Sequence, residues 1–124
     1  MKLVILTTES LHHTFFVREI TKNYNDVMVL CETTNNQRAL YDTSHDFEKT
    51  RNDFEKNLWF SNKKSVLKNF AEVKNVISIN SRASKSFLKK INPDLIIVFG
   101  TGLIKKEILS LFENKIYNLH GGNP

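Results

Sequence analysis

Apolar residues fall along this chain either in short unbroken runs or in stripes spaced three and four apart. Residues 3–6 (Leu-Val-Ile-Leu), 27–31 (Val-Met-Val-Leu-Cys) and 95–99 (Leu-Ile-Ile-Val-Phe) are unbroken and bounded by polar residues. Runs of this length without alternation suit strands covered on both faces, as in a parallel sheet. Between the first two, Leu11, Phe15, Phe16 and Ile20, with Tyr24 beyond, mark a helix that Ser10 can cap. Phe47, Phe54 and Leu58, then Val66, Leu67 and Phe70, predict one or two helices in a highly charged stretch, broken near Ser61-Asn62. Residues 33–39 are polar and read as a loop. Residues 76–79 are predicted as a third strand, and Ser81 or Ser84 as the start of a helix through Phe87, Leu88 and Ile91. Asn92-Pro93-Asp94 ends that helix, because a residue before proline avoids the helical region. Gly100-Thr101-Gly102 then turns into a helix carrying Leu103, Ile104, Ile108, Leu109 and Phe112, and residues 116–119 form a fifth strand.

The order βαβαβαβαβ predicts an α/β fold, a doubly wound, mostly parallel open sheet with helices on both faces, in one domain over residues 1–124. Ligands in such folds lie beyond the carboxyl ends of the strands. Three loops therefore bear on function: residues 7–14, 100–102 and 118–124.

Composition narrows the class. Forty per cent hydrophobic residues, nine of them Phe, exclude a disordered chain. The net charge of +5 points toward a polyanion only if the basic residues cluster. They run instead from Lys2 to Lys115 and pair only as Lys63-Lys64, Lys89-Lys90 and Lys105-Lys106. Solvated helix faces are the better reading, with tRNA left as an alternative partner. Cys31, the single cysteine, sits in an apolar run, reads as a core residue and favours a reducing compartment. No run approaches the ~18 apolar residues of a membrane span. The apolar start meets Thr7-Thr8-Glu9-Ser10 without a cleavage pattern. A cytoplasmic protein without a membrane partner is expected.

The candidate chemistry lies in the loops. Gly100-Thr101-Gly102 follows a strand, but Lys105 stands where a dinucleotide fingerprint needs its third glycine. The two glycines then either admit a planar ligand to the backbone or serve a tight turn. His12, His13, His45 and Cys31 lack chelating spacing, so no metal is expected. No Gly-x-Ser-x-Gly elbow marks a serine hydrolase. Thr8, Ser10, His12 and His13 surround the first helix opening, where they can hold an anion or simply face solvent. Gly121 and Gly122 join them as candidate substrate-binding residues. Asn118 and His120 share one side of the last strand, two residues apart, before Gly121-Gly122-Asn123-Pro124 breaks the chain. A carboxamide there can donate to a developing oxyanion, and an imidazole can move a proton near neutral pH. The alternative is a non-catalytic nucleotide- or partner-binding module in which both are turn residues.

Pro93-Asp94 leading into Leu95-Ile96-Ile97-Val98-Phe99-Gly100, a following helix, and Asn118-Leu119-His120 with Pro124 together resemble the formyltransferase family that uses 10-formyltetrahydrofolate. The resemblance is good over about residues 92–124 and topological over the rest. It implies a Rossmann-like formyltransferase fold and transfer of a formyl group to a small-molecule amine. Family members formylate methionyl-tRNA, glycinamide ribonucleotide or an amino-sugar nucleotide, and relatives hydrolyse the formyl-folate. Asn118 would polarise the formyl carbonyl. His120 would stabilise the tetrahedral intermediate and assist proton movement. Phe99, Gly100, Thr101, Gly102, Leu103 and Ile104 would line the folate pocket. The family's third catalytic residue, an aspartate past the histidine, finds no counterpart. The resemblance therefore implies a domain truncated before its last strands and inactive by itself. The first loop lacks the glycine-rich grip of the glycinamide ribonucleotide branch, and Gly121-Gly122 replaces the Pro-Ser typical of the methionyl-tRNA branch. Both departures favour an amino-sugar nucleotide as acceptor.

Overall fold

Each unbroken apolar run becomes an inner strand of one sheet in the computed structural model, which describes residues 1–33 and 45–120. These runs are β1 (Leu3–Thr7), β2 (Val27–Glu32) and β4 (Leu95–Phe99), flanked by β3 (Glu72–Val76) and β5 (Ile116–Asn118). All pairings are parallel, in the order β3-β2-β1-β4-β5. β1 is central, with Leu3 in register with both Val27 and Leu95. Helices cover both faces, which is why these strands show no alternation. On one face Val4, Leu6, Leu30, Ile96 and Val98 pack with Leu88, Ile108 and Phe112. On the other Leu3, Ile5, Val29 and Cys31 pack with Val17 and Leu67. Burying each such Leu, Ile or Val contributes about 1.5–3 kcal/mol. Winding outward from β1 toward β2 on one side and β4 on the other creates a switch point beyond Thr7 and Phe99, where open α/β sheets form a crevice.

The remaining elements follow their signals with three corrections. α1 (Leu11–Thr21) is capped by Ser10, whose hydroxyl accepts the His13 N–H at 3.2 Å. α2 (His45–Phe60) stops where Ser61 and Asn62 both turn left-handed, at φ 51° and 63°. α3 (Arg82–Ile91) is capped by Ser81, not Ser84, and closes on left-handed Asn92 before Pro93. The first correction concerns the third strand, which occupies Glu72–Val76 instead of residues 76–79. As an edge strand it pairs on one side only, so Glu72, Lys74 and Asn75 face water and leave no apolar run. The second lies at Leu67–Asn69, a single 3-10 turn where helical spacing suggested a longer helix. The Asn69 and Glu9 side chains accept the N–H groups of Val66 (2.8 Å) and Leu67 (3.2 Å), competing with helix propagation. The third is α4 (Lys106–Leu111), which begins well past Gly102, so Leu103 and Ile104 are not helical. Residues 34–39 of the expected loop, the side chains of His45 and Phe47, and Gly121, Gly122 and Pro124 lie outside the described residues.

Candidate active site

Two threonines at the end of β1 tie it to the end of β4. The Thr7 hydroxyl donates to the Phe99 carbonyl at 2.6 Å, and the Thr8 hydroxyl to the Gly100 carbonyl at 3.2 Å. His13, in the first turn of α1, turns inward and is only 6% exposed. Its Nδ1 lies 2.9 Å from the Thr8 carbonyl. A carbonyl only accepts, so Nδ1 carries the hydrogen and Nε2 is bare in the neutral ring. Burial pushes the His13 pKa down to about 4; the Thr8 carbonyl opposes this and His12 adds to it. His13 is therefore neutral near pH 7. Its ring meets Phe99 edge-to-face with centroids 4.7 Å apart and His12 at 4.1 Å. The His12 pKa is also lowered, chiefly by burial, with Glu55 raising it and Arg51 lowering it.

The His13 ring lies directly beneath Gly100, whose φ is +84°. A Cβ on Gly100 would overlap Cε1 and Nε2 of that imidazole. This glycine thus answers both to a positive φ and to a close approach, and the approaching group is the protein's own histidine.

β5 completes the rim. Asn118 pairs in register with Val98, and the Leu119 N–H donates to the Val98 carbonyl at 2.8 Å, extending the pairing toward His120. Asn118 and His120 are both exposed. They open on a cleft of about 880 Å³ whose lining also includes His12, His13 and the whole 99–104 segment. Phe99, Gly100, Thr101, Gly102, Leu103 and Ile104, expected along one pocket, thus line the same cavity as Asn118 and His120.

Other expected site residues lie elsewhere. The Thr8 hydroxyl is engaged by Gly100, and Thr8 faces a separate cavity of about 600 Å³ with Glu9, Cys31 and Lys68. Ser10 is engaged as the α1 cap. Cys31 is 4% exposed; burial first, and then the charge of Glu9, pushes its thiol pKa up, as suits a core residue. Gly121 and Gly122 lie outside the described residues. Among the described residues no helix is long and apolar enough to cross a membrane.

Thr7 and Glu32 also bear on the site, though neither belongs to a motif in the sequence. Glu32 ends β2 and is only 7% exposed, with its carboxyl oxygens accepting the N–H groups of Ile79 at 2.8 Å and Gly102 at 3.0 Å. The available signal was an acidic residue directly after a buried apolar run, at the carboxyl end of a strand where sites collect.

No family model matches the chain. A methionyl-tRNA formyltransferase of Finegoldia magna is 36% identical to it over 92 residues, which is 73% of this chain and 29% of that protein. The chain thus spans less than a third of the length of this curated relative. With a five-stranded parallel α/β sheet of the kind that resemblance implied, and this identity across most of its length, the chain is related to the formyltransferase family.

Proposed function

We propose that this domain serves formyl transfer from 10-formyltetrahydrofolate to a substrate amine, that of an amino-sugar nucleotide, with Asn118 and His120 at the reacting centre. One observation carries the proposal: Asn118, His120 and the 99–104 segment line a single cleft beyond the switch point of the sheet. The dimensions suit the donor. A volume of about 880 Å³ lies within the roughly 300–1,000 Å³ of small-molecule sites. One wall is glycine backbone, others are the apolar Leu103, Ile104 and Leu119, and polar side chains sit at the rim. Such a cavity can hold a flat bicyclic ring between apolar walls and leave its reactive end at Asn118 and His120. The donor, when bound, supplies the formyl group that the amine receives.

Two of the chain's own residues contribute to the chemistry. The Asn118 side-chain amide donates to an oxygen on which negative charge grows, a contact whose loss costs about 10²–10³ in rate. His120, two residues on, moves the proton that the attacking nitrogen releases, a role worth about 10²–10⁴. His13 stays neutral and places no positive charge behind Gly100.

Methionyl-tRNA is a second acceptor, favoured by the name of the Finegoldia magna relative. Against it stand the scattered lysines and Gly121-Gly122.

The test is titration with a stable reduced folate while following the unfolding midpoint. At a hundredfold excess over Kd, binding should add about 2.7 kcal/mol of stability. Formyl-transfer assays with amino-sugar nucleotides and methionyl-tRNA then decide between acceptors. In a chain that also carries the aspartate the family places past the histidine, Asn118→Ala should lower the rate about 10²–10³-fold. With its side chain exposed, it should leave the ligand-free midpoint unchanged. No stabilisation at saturating folate leaves only the non-catalytic module.

A further inference from the structure

The segment from Leu103 to Lys105 is predicted to be helical, yet the chain runs from Gly102 to α4 without a helical turn. Its backbone groups are taken by two side chains from other elements. The Asn80 side chain, in the loop between β3 and α3, donates from Nδ2 to the Leu103 carbonyl at 2.8 Å. Through Oδ1 it accepts the Lys105 N–H at 2.7 Å. Asn80 thus pairs with this segment as a neighbouring strand would. Glu32, at the end of β2, accepts the Gly102 N–H on Oε1 at 3.0 Å and the Ile79 N–H on Oε2 at 2.8 Å. One carboxyl group therefore joins the loop after β3 to the loop after β4.

Packing explains only part of this arrangement: Ile104 rests partly buried against the core, but Leu103 does not. Leu103 is 88% exposed in it, so the extended form gains nothing from burying that side chain. What it gains is the wall itself, because residues 102–104 all line the cleft that Asn118 and His120 overlook. Neither Glu32 nor Asn80 lines that cleft. Both act on it through backbone.

We infer that Glu32 and Asn80 are positioning residues, a polar clasp that holds residues 102–105 extended so that the cleft wall is set before a flat ligand arrives. The inference rests on the cleft being the formyl-folate site. Gly102 is not itself required by the clasp. A Cβ there would stand 3.4 Å from Glu32 Oε1, an ordinary contact. In this it differs from Gly100.

The test compares wild type, Glu32→Gln and Asn80→Leu, with Leu67→Val as a stability control in the core on the opposite face of the sheet. Glutamine keeps the shape of Glu32 but has one oxygen, so only one of the two N–H bonds survives. Leucine keeps the size of Asn80 and removes both the acceptor for Lys105 and the donation to Leu103. Two readouts are taken: NMR-detected hydrogen exchange at the amides of Ile79, Gly102 and Lys105, and the Kd of a stable reduced folate. Loss of one hydrogen bond should raise exchange at the affected amide and weaken folate binding roughly 3–10-fold. Leu67→Val should lower the unfolding midpoint and leave the folate Kd unchanged. Unchanged exchange overturns the clasp. So does folate affinity that survives both clasp substitutions, or that falls as far in the control. Wild-type protein that ignores reduced folate refutes the formyl-transfer proposal and removes the purpose of the clasp. Retained binding in the variants refutes the clasp alone.

Discussion

Replacing Gly100 with alanine attacks the cleft where backbone and side chain meet most closely. Two costs add. At φ +84° a residue with a Cβ sits in the left-handed region, at about 1–2 kcal/mol. The new methyl also overlaps the His13 imidazole. That ring has little room to move: Nδ1–H is held on the Thr8 carbonyl at 2.9 Å, and Phe99 and His12 pack against it. Forcing a methyl into such a contact costs about 1–3 kcal/mol. The sum is about 2–5 kcal/mol. At about 3–5 °C per kcal/mol for a domain of this size, the midpoint should fall by about 6–25 °C. Circular dichroism at pH 7 measures both, the free energy by urea unfolding and the midpoint by thermal unfolding. A double-mutant cycle with His13→Ala separates the two costs, because removing the ring relieves the overlap and leaves the backbone strain. The double variant should be less destabilised than the sum of the singles by about 1–3 kcal/mol. A cost for Gly100→Ala below about 1 kcal/mol, or singles that add to within about 0.5 kcal/mol, would refute the reasoning.

His13 also makes stability depend on pH. Its folded pKa of about 4 lies below the ordinary 6.5, so the unfolded chain takes up the proton first. The stabilisation is complete above pH 6.5 and is lost as pH falls toward 4, a loss of about 2 kcal/mol after allowing for solvent screening at the cleft. His13→Gln should flatten the fall in unfolding free energy between pH 7 and pH 4.5, and an unchanged slope would place the titration elsewhere. Arg18 holds α2 to α1: it donates to the Trp59 carbonyl at 2.5 Å and stands over the rings of Phe15 at 5.1 Å and Phe60 at 4.8 Å. Arg18→Ala should cost about 1–2 kcal/mol in urea unfolding. Arg18→Lys should recover less than half, because an ammonium lacks the flat face that stacks on a ring. Full recovery by lysine would show that charge alone matters.

The legible parts of this fold are those decided by neighbours in sequence. β1, β2 and β4 were readable because covering both faces leaves an unbroken apolar run. The end of α2 was readable because Ser61-Asn62 is a local breaker. β3 was misplaced because an edge strand owes its place to pairing with β2, and pairing leaves no periodic trace in Glu72-Val73-Lys74-Asn75. The rim of the cleft was legible for the same reason as the strands: Asn118 and His120 stand two apart on one strand end, a spacing fixed by backbone geometry alone. The wall was not. Leu103 and Ile104 open a helical pattern, and what overrides it is a carboxyl group 70 residues away from Gly102 in sequence and an amide 25 residues away from Lys105. Nor does any local signal tell that His13 turns inward and loses its charge while His12 beside it stays half-buried. In this molecule, then, Asn118 and His120, the proposed reacting groups, are placed by short-range rules and the shape of the space before them by long-range ones. A substitution at Asn118 should therefore change chemistry without touching fold, whereas one at Glu32 acts on the site only by moving a backbone it never leaves.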